Sequence, residues 1–215
     1  MNLVRRVLCA LMVCAAVSGM RAADETLFPS QNSFIRNGSA AQDNFGNVQR
    51  LELAGRTGDN NRKVYLKFEL PDGAGGSAGA KLRLTVTGVI ALTGEATNGF
   101  FPFKVFAAVG DNPDLWNESS LNWTDAPGNT GGAGEVDAPW VEVGSYEVQF
   151  PLSATEQTIE VELPGLPEVL KSGTGRTLDL VLVPGIENAK TPGVVFHSNR
   201  VKGKSDQWPA LLLTR

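Results

Sequence analysis

The chain has 215 residues, with 23 acidic side chains against 19 basic ones, a single histidine and a formal charge of −4. That balance argues against a nucleic-acid partner, which asks for a basic face. Both cysteines, Cys9 and Cys14, lie near the N-terminus, so the rest of the chain is expected to hold together without a disulfide and offers no Cys/His zinc site.

The first 22 residues read as a secretory signal. Arg5 and Arg6 precede an uncharged apolar run, Val7 to Val17, that is too short to span a bilayer, and small residues follow it. A lipoprotein site at Cys14, in Leu11-Met12-Val13-Cys14, is the lesser reading. Removing residues 1–22 leaves 23–215 with 16 basic against 23 acidic side chains, the balance of a solvated extracellular surface. The expectation is a secreted, monomeric protein with one domain over 23–215 and no transmembrane segment.

After the signal, Thr26 to Ala40 suggests two short strands broken at Pro29-Ser30. Val48 to Ala54 reads as a strand with Leu51 and Leu53 inward and Arg50 and Glu52 outward. Arg62 to Leu70 gives the plainest period of two: Val64, Leu66, Phe68 and Leu70 on one side, Lys63, Tyr65, Lys67 and Glu69 on the other. The pattern returns at Lys81 to Val86, with Leu82, Leu84 and Val86 inward and Lys81, Arg83 and Thr85 outward. The glycine-rich stretch between them, Asp72 to Ala80, reads as a loop joining two antiparallel neighbours. Further strands are expected at 103–109, 120–123, 140–143, 158–163, 177–183, 194–198 and 210–214, and one short helix at Leu166 to Ser172. Many short strands divided by Gly, Pro, Asn and Asp predict an all-β antiparallel sandwich of jelly-roll type.

The segments IRNGSAAQDNFGN, NNRKVYLKFELP, AKLRLTV, DNPDLWNESSLNWTDAPG, VVFHSNR and PALLLT together resemble the DNRLRE-type domain, also classed as carbohydrate-binding module family 96. Asn44-Phe45-Gly46 and the run from Trp116 to Pro127 are the most specific blocks. The resemblance implies an extracellular jelly-roll module that binds glycans, in some members acidic ones such as alginate, and does not imply catalysis. Where the family commonly carries a Ser-Arg-Glu-like run, this chain has Ser198-Asn199-Arg200.

Lys63, Tyr65 and Lys67 on one strand and Lys81 and Arg83 on its expected neighbour would form a basic strip suited to the carboxylates of an acidic polysaccharide. Ordinary pairing with Glu52, Glu69, Glu160 and Glu162 is the competing reading. Of the four tryptophans, Trp116 is the expected exposed one, placed to stack on a sugar, while Trp123 and Trp140 read as packing residues. Loop oxygens of Asp43, Asn44, Asp59, Asn60, Asn61, Asp111, Asn112 and Asp114 suggest a structural Ca²⁺, with Asp43 and Asp59 as first ligands, against the simpler reading of Asx residues as turn formers. A polysaccharide lyase would have to use His197 as base with Tyr65 or Tyr146 as proton relay. A structural or adhesive surface protein is the remaining alternative.

Overall fold

A computed structural model describes residues 24–91, 99–108, 116–152, 155–173, 175–187 and 192–215. Eleven strands and one helix follow in order: β1 Glu25–Leu27, β2 Gln31–Arg36, β3 Arg50–Leu53, β4 Arg62–Glu69, β5 Gly79–Ile90, β6 Gly99–Ala108, β7 Trp140–Phe150, β8 Gln157–Glu162, α1 Leu166–Ser172, β9 Thr177–Pro184, β10 Gly193–His197 and β11 Ala210–Thr214. They form two antiparallel sheets. The five-stranded sheet runs β2-β4-β9-β6-β7, and the six-stranded one β1-β11-β5-β10-β3 with β8 also on β5.

The alternation seen in the sequence decides which side chains meet between the sheets. Val64, Leu66 and Phe68 of β4, Leu180 and Leu182 of β9, and Phe101 and Phe103 of β6 face Leu82, Leu84 and Val86 of β5, Val161 of β8 and Phe196 of β10 in one continuous core. Full burial of each contributes roughly 1.5–3 kcal/mol before chain entropy is counted. Leu166, Val169 and Leu170 of α1 close one end.

Three expectations are corrected here. β4 and β5 are not neighbours: β4 lies in the five-stranded sheet and β5 in the six-stranded one. The glycine-rich connection crosses the end of the sandwich, burying Ala74 and passing so close to α1 that a Cβ on Gly75 would sit 3.0 Å from the Leu170 carbonyl oxygen. The outward faces of these two strands therefore look in opposite directions. Residues 120–123 form a turn rather than a strand, inside a long segment that lies over the five-stranded sheet. β5, β6 and β7, with 12, 10 and 11 residues, outrun the short apolar patches that signalled them.

β10 and β11 lie one after the other along the same edge of β5: Phe196 opposes Val86 and Ala210 opposes Arg83. Residues 198–209 are thus a lobe inserted into what is geometrically one strand. It is tied down at both ends. Asn199 donates its backbone N–H to Asn32 Oδ1 at 2.9 Å and its side-chain N–H to the Pro29 carbonyl at 2.9 Å, while Trp208 Nε1 donates to the Val201 carbonyl at 2.8 Å.

The Asn44-Phe45-Gly46 block and the Trp116 to Pro127 block dock on one another. Asn44 Nδ2 donates to the carbonyls of Glu118 (2.6 Å) and Leu121 (2.8 Å), and Phe45 stacks on Phe34 with centroids 4.3 Å apart. A Cβ at position 46 would fall 2.0 Å from the Glu118 carbonyl oxygen, which is why glycine stands there. Gly46→Ala is expected to cost about 1–3 kcal/mol through overpacking against backbone, at about 2–4 °C of Tm per kcal/mol. An unchanged Tm in a thermal melt would contradict this docking.

Candidate functional site

The part of the five-stranded sheet's outer face formed by β2, β4 and β9 is not a surface, whereas Phe100, Lys104 and Glu142 on β6 and β7 stay exposed on that face. Residues 116–140 cross it as a strap, and beneath them Ile35, Tyr65, Val181 and Val183 join Trp116, Leu121, Trp123, Ala126 and Trp140 in a second buried cluster. Lys63, Tyr65 and Lys67 are 0%, 0% and 2% exposed and Trp116 is 6% exposed. This corrects the expected basic strip and the expected exposed indole: these four side chains are interior groups.

The charged and hydroxyl groups of this second core are matched, while the Trp140 indole N–H has no partner among the described residues. Lys63 Nζ donates to Asn129 Oδ1 at 2.8 Å and the Glu135 carbonyl at 2.7 Å, and lies 5.3 Å from the centroid of Trp123. Lys67 Nζ donates to the Trp116 carbonyl at 2.6 Å and lies 5.1 Å from the Trp116 ring. Lys67 is also the cross-strand partner of buried Asp179, and Asp179 Oδ1 accepts the Trp116 indole N–H at 2.8 Å. Tyr65 donates its hydroxyl to the Pro127 carbonyl at 3.1 Å and meets Trp116 and Trp140 edge-on, at 5.8 and 6.1 Å. Cation–π contacts of this desolvated kind contribute about 2 kcal/mol, and they partly offset the loss of ammonium hydration.

The outer face of the six-stranded sheet is buried at Thr85, in the middle of β5, but stays open among the described residues around Lys81, Glu160 and Glu162. There Lys81 reaches Glu162 at 2.8 Å and Glu160 at 3.2 Å, with side-chain exposures of 39%, 69% and 48%. These hydrogen bonds, first to Glu162 and then to Glu160, hold the Lys81 ammonium above its usual pKa. The competing reading of this strip, cross-strand pairing, holds for Lys81. Arg83 differs: Glu160 stands opposite it in the ladder but engages Lys81, and no hydrogen bond or ion pair joins Arg83 to any described residue. Its Nε is buried with no hydrogen-bond partner among the described residues. Glu52, expected outward and solvated, is 9% exposed and held between Arg50 (2.6 Å) and Arg62 (2.8 Å).

The lobe of residues 198–209 leans on this face through one carboxylate. Glu156 accepts from Lys204 Nζ at 2.6 Å, from Gln207 Nε2 at 2.9 Å, and contacts His197 Nε2 at 3.1 Å. The Lys204 and His197 hydrogen bonds hold its carboxyl down at about 2. Its contribution is present above the usual carboxylate range and is lost as pH falls from about 4.5 towards 2. Sequence reasoning missed Glu156 because nothing in its local sequence marks it; only the lobe brings its partners together.

His197 sits on this same outer face, whereas Tyr65 lies under the strap on the far side of the sandwich. Tyr146 packs beside Phe103 at 6.0 Å, against the main core. The three lyase candidates are not brought together. Asp43 and Asp59 are exposed and occupy different loops. Asn44, Asn60 and Asn61 spend their oxygens on loop closure: Asn44 Oδ1 accepts from Gly46 N–H, Asn60 Oδ1 from Arg36, and Asn61 Oδ1 from Arg56 N–H. Asp111, Asn112 and Asp114 lie outside the described residues. Among the described residues no three His, Cys, Asp or Glu side chains converge as a metal cluster would require.

Two antiparallel sheets packed face to face around one core define an all-β sandwich. The model of carbohydrate-binding module family 96 matches residues 23–143, more than half of the chain, and the protein belongs to that family. No curated protein matches the sequence. Among solved structures, latent aurone synthase (polyphenol oxidase), recombinantly expressed and co-crystallized with hexatungstotellurate(VI), aligns with a TM-score of 0.37 and 10% identity over 84% of this chain and 29% of that one. The same enzyme from natural source aligns at 0.33 and 11% over 84% and 30%. The chain therefore spans less than a third of these proteins.

Burial lowers the Lys63 ammonium to about 8, with the carboxylates of Glu135, Asp137 and Glu187 opposing the shift, and burial pushes the Tyr65 phenol up. Between pH 8 and about 10 the unfolded chain holds the Lys63 proton that the folded chain has released, so stability rises with pH. Above the ordinary tyrosine range near 10 the unfolded chain ionises Tyr65 first, and stability falls. Urea midpoints measured from pH 7 to 11 are expected to peak near 10, and the rise is expected to vanish in Lys63→Met. A monotonic fall from pH 7 in the native protein would contradict the burial of Lys63.

Proposed function

We propose that the protein is an exported, non-catalytic module that holds an acidic polysaccharide on the outer face of the six-stranded sheet. The family match supports carbohydrate as the ligand class. The observation that carries the choice of face is the difference in access: Lys63 and Lys67 are sealed beneath the strap, while Lys81, Glu160 and Glu162 stand open to solvent. Acidic specificity rests on less than the sequence promised, since two of the expected cations are interior and Lys81 is shared between two carboxylates. Arg83, which has no hydrogen bond or ion pair to a described residue, is the cation on this face that the reading relies on.

The signal-like pattern of residues 1–22, two arginines before a short apolar run, is what supports export, and a glycan in the extracellular medium is the partner this reading requires. A non-catalytic role is supported by the separation of His197 from Tyr65 and Tyr146, which keeps the lyase scheme of His197 with either tyrosine from being assembled.

Affinity gel electrophoresis of the whole protein tests the reading. Retardation is expected on gels containing alginate or polygalacturonate, weakening as salt is raised because exposed charges are screened. Lys67→Met, a change on the covered face, is expected to leave the retardation intact. Absence of retardation on every acidic and neutral polysaccharide, with and without Ca²⁺, would remove the proposal. Release of unsaturated uronate absorbance that disappears in His197→Ala would favour the lyase instead.

A further inference from the structure

We propose that Phe28, Trp208 and Arg83 form one subsite on the outer face of the six-stranded sheet, where a sugar ring packs on the aromatic pair and Arg83 holds the carboxylate of a neighbouring uronate. The proposal rests on the reading of the protein as a module for acidic polysaccharide and names where that ligand sits.

Strand register places these residues in one row. Leu27 of β1 opposes Leu211 of β11, so the next residue, Phe28, comes beside Ala210; Ala210 opposes Arg83 of β5, and Arg83 opposes Glu160 of β8. Leu27 packs against the core, which turns Phe28 to the outer side, where it is 43% exposed. Two strand spacings separate Phe28 from Arg83, about 10 Å. A glycan chain lying across the strands spans that distance with two adjacent sugars. Ala210, between the two positions, is itself fully buried, so a glycan here would rest on the side chains that close over Ala210 and not on the sheet.

The aromatic end is rigid. Phe28 meets Trp208 edge-on, with centroids 6.0 Å apart and planes at 90°, and the Trp208 indole is fixed by its hydrogen bond to the Val201 carbonyl within the lobe that Glu156 clamps. An exposed ring held in place offers an apolar plate to the C–H face of a pyranose with little side-chain ordering left to do. The charged end is unspent. Arg83 has no partner among the described residues, its buried Nε is unsatisfied, and its neighbour Glu160 is taken by Lys81. A guanidinium presents two parallel N–H donors to a carboxylate, which an ammonium does not. The row thus joins an apolar plate to a carboxylate-matching fork, the two features that adjacent uronic acid residues present together.

Isothermal titration calorimetry of the whole protein with hexamers of mannuronate, galacturonate and glucose tests the row. A uronate hexamer is expected to bind more tightly than the glucose hexamer. Arg83→Gln is expected to weaken uronate binding about 10-fold or more, the loss typical of a hydrogen-bonded charged pair, and to leave the glucose hexamer unaffected; Arg83→Lys recovers only part. Phe28→Ala is expected to weaken all ligands, and Phe28→Trp to retain binding, which keeps the test valid should the alanine variant misfold. Uronate binding that survives both Arg83→Gln and Phe28→Ala in folded protein would overturn the subsite while leaving the glycan-module reading standing. Binding of glucose hexamer alone would overturn the role of Arg83. Binding of no hexamer by the unaltered protein would overturn the underlying reading and the subsite with it.

Discussion

The structure turns on the burial of Tyr65 and its two lysine neighbours beneath the strap of residues 116–140. Tyr65 stands on the outer side of β4 with its hydroxyl on the Pro127 carbonyl and its ring edge-on to Trp116 and Trp140. Two positions to either side, Lys63 and Lys67 each lie against an indole and donate to oxygens of the strap. A buried ammonium without acceptors would cost several kcal/mol. Supplying those acceptors fixes where the strap must lie, so the lysines act as positional pins for the segment that covers them. Replacement by apolar side chains would remove the desolvation cost and the positioning together.

The strap decides which parts of the outer faces stay accessible. With the β2-β4-β9 part of one face converted into a second interior, Lys81, Glu160 and Glu162 of the six-stranded sheet stay accessible, and Arg83 beside them has no ion-pair partner among the described residues. The lobe of residues 198–209 then gives that flat face relief. It leaves the sheet after β10, crosses to bond Asn32 at the edge of the other sheet, and returns before β11 with Trp208 held beside Phe28. Glu156 gathers Lys204, Gln207 and His197 at its base. The Ser198-Asn199-Arg200 run begins this lobe: Ser198 Oγ donates to the Val48 carbonyl, Asn199 bonds Asn32, and Arg200 pairs with Glu118 of the strap. Glu118 also accepts the Asn32 backbone N–H at 3.2 Å, so strap, lobe and the β2 edge share one carboxylate.

Most of the strands and the single helix were legible because alternation of apolar and polar side chains follows directly from one-sided burial. The pairing of β4 with β5 was not, since a nine-residue glycine-rich connection serves a hairpin or a crossing between sheets equally well, and only the packing of α1 on that connection decides. The buried lysines were hidden for a related reason. Polar alternation reads as solvent exposure, yet here the cover is supplied by a loop with no periodicity. The sequence did contain a signal: β9 has Leu178, Leu180 and Leu182 on one side and Val181 and Val183 on the other, the double-sided pattern of a strand covered on both faces. Three tryptophans within the strap needed a surface to bury against, and that side of β9 and β4 was the one available. The Phe28, Ala210 and Arg83 row was beyond reach, because it unites three strands distant in sequence through register alone.

Amine acetylation of the native protein, read by peptide mass mapping, tests the covered face most directly. Lys171 and Lys202, on exposed positions, are expected to react to completion while Lys63 and Lys67 stay unmodified until denaturant unfolds the chain. Acetylation of Lys63 and Lys67 at the rate of Lys171, in protein whose strand spectrum and melting temperature are unchanged, would contradict the account.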